Sequence, residues 1–142
     1  MVTGIARRER RMDRWLGKYG ELIYAVMRLV VGLLFACHGA QKLFGVLGGT
    51  SRLGSPMMLT AGLIEFAGGL LVALGLWASW AAFIASGEMA VAYFRAHAAG
   101  GFWPILNRGE LAVLYCFVFL FIASRGSGSW SVDAVVGNKK TA

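Results

Sequence analysis

The chain has 142 residues, 58% of them hydrophobic and only 15% charged, with a mean hydropathy of +0.64. That is well above what the core of a water-soluble domain of this size requires, and it excludes an ordinary soluble globular protein. The net charge of +7 is concentrated, six of the fourteen Lys and Arg residues lying in the first eighteen positions, so it is a membrane-topology signal and not a nucleic-acid footprint.

The opening stretch, "MVTGIARRERRMDRWLGKYGEL", gives a basic segment, 1–21, expected on the cytoplasmic side against anionic headgroups, at about 1 kcal/mol per basic residue. No small-residue cleavage motif follows a short apolar core, so the next apolar stretch is expected to be a retained span, residues 22–43. A Gly-rich loop, "FGVLGGTSRLGSP", follows. Residues 53–94 then carry only two formal charges, Glu65 and Glu88, over twice the length of about 20 residues that one spanning helix needs. A single span between Phe66 and Gly87 is the rival parse. "LGLWASWAAF" argues against it: Gly75 can end a helix, Ser79 can cap the next, and Trp77 and Trp80 favour the membrane interface. The predicted spans are therefore 57–76 and 79–95, then a loop, "AHAAGGFWPILNRG", then a fourth span from Asn107 or Gly109 to Ser124. That last span, "LAVLYCFVFLFIA" beyond Glu110, is expected to face lipid or a partner.

Residues 125–142 are expected to form a polar cytoplasmic tail. The predicted fold class is all-α, an integral membrane four-helix bundle over 22–124 with both termini cytoplasmic. Six N-terminal basics with Arg125, Lys139 and Lys140 stand against Lys42, Arg52, Arg95 and Arg108 on the other side, and nine against four sets that orientation.

Charges at mid-membrane cost at least about 2.5 to 3.5 kcal/mol each, so they face the bundle interior and find partners. Ala61, Glu65, Gly69 and Ala73 fall on one helical line with Gly62 and Gly68 beside it, and Ala81, Ala85, Glu88, Ala92 and Arg95 form a second line. These stripes are expected to face each other or the bundle centre. In the first span Arg28, His38 and Lys42 share an arc of roughly 80° at about 100° per residue. A long guanidinium can reach from Arg28 to Glu65, so that pair is predicted, with Glu88 as the alternative partner. His38, Gln41, Lys42, Arg95, His97, Asn107 and Glu110 gather toward the opposite end, making a second polar tier. The competing structural explanation, that these groups only set helix register, accounts less well for three carboxylates, two cations and a His in four short helices.

Cys37 and Cys116 stand alone in apolar surroundings and are expected to be buried and inert, with no CxxC and no Cys/His metal spacing. There is also no motif for flavin, haem or an iron-sulfur cluster.

"RLVVGLLFACHGAQKLFG", "GLIEFAGGLLVALGL", "AHAAGGFWPILNRGELAVLY" and "GSGSWSVD" together resemble, in order and spacing, the DoxX family of small four-helix membrane proteins, over roughly Tyr24 to Asp133. The matching positions are Arg28, Gly39, Lys42, Glu65, Gly68, Gly69, Gly75, His97, Gly109 and Glu110. The resemblance implies a redox-linked subunit of a bacterial inner membrane, since relatives include the DoxD-type subunit of a thiosulfate:quinone oxidoreductase and partners of thiol and oxidative-stress enzymes. A quinone is one candidate ligand. Glu65, Glu88 and His38 are the expected proton-exchanging residues and Arg28, Lys42, His97, Asn107 and Glu110 the expected substrate contacts, with no metal. The alternatives are a scaffold that docks a protein partner or a second copy, and a carrier of a small lipophilic or anionic molecule held by Arg28 and Lys42.

Overall fold

The computed structural model describes residues 12–139; the basic positions 7, 8, 10 and 11 of the N-terminal segment, and residue 140, lie outside them. The described chain is all helical, with no strand. Helical residues 12–16 and a 3-10 turn, Gly17–Tyr19, lead into α1, Gly20–Phe44. Gly45 ends α1 in the left-handed region at φ 67, where its N–H bonds the Gln41 carbonyl at 3.1 Å. Ser55 then caps α2, Pro56–Leu74, accepting from the Met58 N–H at 3.5 Å, with Pro56 in the first turn. Helix α3 is Ala78–Ala92, continued by a π turn, Tyr93–His97; a one-turn helix, Pro104–Asn107, precedes α4, Glu110–Arg125; and α5 is Val132–Lys139. The helices Met12–Phe44 and Pro56–Leu74 are each long and apolar enough to cross a membrane.

Small residues set the helix contacts, though not in the arrangement expected from the sequence. The α2 stripe faces α1: a Cβ on Gly39 would lie 2.3 Å from Phe66 N, and one on Gly69 would lie 2.6 Å from both Ala36 N and Gly32 O. Backbones this close gain dispersion contacts along their whole length, which is what associates helices where lipid tails are as apolar as side chains. The α3 stripe turns the other way. Ala81, Ala82 and Ala85 are buried in the same cluster as Tyr115, Phe119 and Ile122 of α4. The Ser86 hydroxyl also donates to the Cys116 carbonyl at 2.8 Å. Phe35 joins the two halves, its ring 4.6 Å from that of Phe119 and 5.4 Å from that of Tyr115. So α4 is not purely outward facing: one side is core, and Leu114, Phe117 and Phe121 on the other stay exposed. Cys37 is likewise exposed, not buried.

The segment after α4 is no loose tail. Asp133 Oδ2 accepts the Trp77 N–H at 2.9 Å and the Ser127 hydroxyl at 2.6 Å, and the Asp133 N–H reaches the Gly75 carbonyl at 3.1 Å. The expected cap at Ser79 is thus replaced by a carboxylate 56 residues away, for Trp77 itself sits at φ 49 and α3 begins at Ala78 without a local side-chain cap. Glu21 accepts from the Ser129 N–H and hydroxyl at 3.2 and 2.9 Å and from Arg125 at 2.5 Å, while the Tyr24 hydroxyl donates to the Gly126 carbonyl at 2.6 Å. "GSGSWSVD" is a folded cover over the α1 N-terminal end and the α2–α3 turn.

Candidate functional site

At the opposite end of the bundle from that cover, α1 to α4 line a cavity of about 760 Å³. Its walls include Phe35, Met57, Ile64, Ile84 and Tyr115, and its polar groups include His38, Lys42, Glu65, Glu88, Arg95, His97 and Arg108. The size and make-up match a small-molecule pocket, apolar with a few convergent polar groups.

Two local departures from α geometry shape it. The i→i+5 turns Ile64–Gly68 and Tyr93–His97 place Glu65 in one and Arg95 and His97 in the other. Such turns carry one residue more than an α turn, which rotates the helix beyond them and re-aims the side chains within; they recur at functional sites.

Lys42, in the last turn of α1, donates to Glu65 Oε2. Glu65 is 2% exposed. This corrects the expected Arg28–Glu65 pair. Arg28 is equally buried, but its Nη1 donates to the Val72 carbonyl at 3.0 Å and its Nη2 to the Trp130 carbonyl at 2.7 Å, beneath the cover. Two carbonyl dipoles thus hold the buried guanidinium, whose Nε has no hydrogen-bond partner among the described residues, and Arg28 does not line the cavity. Glu88 does line it, and its buried Oε2 has no hydrogen-bond partner among the described residues.

Of the expected residues the structure therefore brings His38, Lys42, Glu65, Glu88 and His97 to one cavity, and leaves Arg28, Asn107 and Glu110 off its walls. Asn107 is spent on the loop: its amide donates to the Gly101 carbonyl at 2.7 Å and to the Tyr93 hydroxyl at 3.3 Å, and its oxygen accepts the Gly109 N–H at 2.8 Å. Its backbone carbonyl accepts from His97 Nδ1 at 3.2 Å, which orients the imidazole. Tyr93 donates to the Phe102 carbonyl in the same loop. Asn107 is thus a positioning residue. Glu110 is exposed in the first turn of α4, where its charge suits the helix N-terminus. His38 packs edge-on to Tyr115, with ring centroids 6.2 Å apart.

Tyr115 and Arg108 are cavity residues that sequence reasoning left out. Tyr115 lay inside an apolar run with nothing to separate it from core aromatics. Arg108 sits at φ 60 just before Gly109, a left-handed turn whose direction no local pattern announces.

The sequence model of the DoxX family matches residues 23–98, which hold the two π turns, the Lys42–Glu65 pair and most of the cavity wall. The chain belongs to the DoxX family. This DoxX protein is also 44% identical over 125 residues to an uncharacterized protein of Haemophilus influenzae, a match covering 83% of this chain and 93% of the relative. No solved structure matches it. Family membership and the apolar helices make it a membrane protein whose surroundings are the lipid bilayer.

Proposed function

We propose that this DoxX protein is a redox-linked subunit of a bacterial inner membrane, crossing it four times with both termini cytoplasmic, and that the cavity seats a quinone headgroup. The observation that carries this is the buried Glu88 oxygen without a partner on the wall of an apolar cavity that also holds the Lys42–Glu65 pair. An unpartnered buried acceptor costs about 1 to 3 kcal/mol, an expense that a site for a polar ligand repays.

When bound, a quinone supplies two-electron chemistry coupled to the uptake of two protons. Glu88 and Glu65 are placed to hold protons at their carboxyl oxygens, and His38 extends the same wall. Lys42 orients Glu65 and supplies a cation toward the head of the cavity, as its hydrogen bond to Oε2 supports. Tyr115 offers a ring face and a hydroxyl along one side. Electrons come from a partner enzyme or a soluble donor. Protein purified from its membrane should therefore carry an extractable quinone, and quinone analogues should raise its melting temperature. Stoichiometric recovery of a protein partner with no small molecule and no analogue effect would favour a scaffold instead.

A further inference from the structure

One side of the cavity is left unwalled. Helices α2 and α3 leave their shared turn close together, for a Cβ on Gly68 would lie 4.0 Å from the Ala81 carbonyl oxygen. Farther along they part: Pro56–Leu63 packs on α1 and leaves α3 largely uncovered. Ile84, Gly87, Glu88 and Val91, at three- and four-residue spacing, form the α3 face that lines the cavity here. Ile84 and Val91 remain 53% and 55% exposed, and Met57 across the gap on α2 is 49% exposed. The rim is thus apolar and open toward the side where a bilayer lies, while Glu88 stands just inside it.

Gly87 sits at the middle of this opening. A Cβ on Gly32, Gly39 or Gly69 would strike the backbone of a neighbouring helix, whereas one on Gly87 would meet nothing within 4 Å. Glycine inside a helix is less stable than alanine, and at 87 no close approach offsets that. An open space beside a bare helix position is what a group passing out of the cavity would need.

We propose that the gap between α2 and α3 is a lateral portal, kept clear by Gly87, through which the apolar tail of the cavity's ligand lies in the bilayer. It rests on the quinone assignment above and narrows it to long-chain, membrane-resident quinones that enter from the lipid and not from water. The head sits by Glu88 and Lys42–Glu65, and the chain leaves between Met57 and Val91. The chain then stays in lipid while the head binds, whereas a closed portal would force it out of the bilayer or keep the head from its seat.

Binding of two probes to the full chain in lipid nanodiscs tests this: a benzoquinone with a ten-carbon tail, and the same ring carrying a methyl group in its place. Gly87→Trp should weaken the long-tailed probe at least about tenfold and leave the methyl probe within about twofold. Because position 87 faces open space, the variant should keep its melting temperature; Gly87→Leu is the smaller plug should tryptophan lower it. Unchanged affinity of the long-tailed probe in both folded variants, or equal weakening of both probes, overturns the portal and leaves the headgroup site standing. If the unmodified protein binds neither probe, the quinone assignment falls, and the portal's tail with it.

Discussion

Lys42 donates to Glu65 Oε2 across the α1–α2 contact, tying the last turn of one helix to the π turn of the next. The lysine side chain is 28% exposed and the glutamate side chain 3%, so the pair spans the boundary between cavity and core. Removing one member of a buried pair strands the other charge, at about 3 to 5 kcal/mol. Lys42→Met should therefore destabilise the protein by about 3 kcal/mol, the low end suiting a partly exposed partner. Lys42→Met with Glu65→Leu should cost less than the sum of the two single changes, whereas Arg28→Leu with Glu65→Leu should be additive. Unfolding in detergent measures all five variants, and additivity at Lys42 would show that the pair is not coupled.

Glu88 has a different environment, and its neutral isostere should behave differently. Glutamine keeps the volume but neither takes up nor releases a proton. Glu88→Gln should leave melting close to wild type while lowering quinone-linked turnover by about 100-fold or more, the usual range for loss of a proton-transferring group. Turnover and melting temperature measured on one preparation separate the two effects, and full activity would remove Glu88 from proton exchange.

Gly75 lies at φ 69, and a Cβ there would come within 1.8 Å of Arg28 Nη1 and 2.5 Å of Ser131 Cβ. Gly75→Ala should cost more than the roughly 1 to 2 kcal/mol of left-handed strain alone, because Arg28 and the cover must also move. Limited proteolysis should then cut between Gly126 and Trp130, where the wild type resists.

The edge of the cover should respond to pH. Glu21 precedes the proposed first span, and the Ser129 N–H, then Arg125, then the Ser129 hydroxyl hold its carboxyl below the usual carboxylate value. A pKa lowered on folding gives stabilisation that is complete above the ordinary value and lost as pH falls through the lowered one. Acidification into that range should loosen residues 126–131, read by Trp130 fluorescence, and Glu21→Gln should abolish that acid-dependent step. An unchanged titration in the variant would assign the step to another group.

Topology has its own measurement. In a chain whose Cys37 and Cys116 are replaced, a cysteine at Gly48 or Gly100 should react with an impermeant thiol reagent added outside intact cells, and one at Gly137 should not. Labelling confined to position 137 would invert the orientation.

Composition and helical period were enough for the membrane class, the helix end at Gly75, and the small-residue faces, because each depends on local chemistry: lipid needs apolar length, a left-handed cap needs glycine, and close backbones need missing side chains. Which face meets which helix was decided only in three dimensions. Period assigns an azimuth but no partner, so the α2 stripe could not be matched to α1, nor the α3 stripe to α4, before the helices packed. The same limit misassigned Glu65: Arg28 and Lys42 share a face of α1, and only the packing offset of α2 selected the lysine. The π turns shift register without any residue that marks them. Arg28 and Trp130 lie 102 positions apart, beyond the reach of any local signal, so the docking of "GSGSWSVD" belonged to the tertiary structure alone.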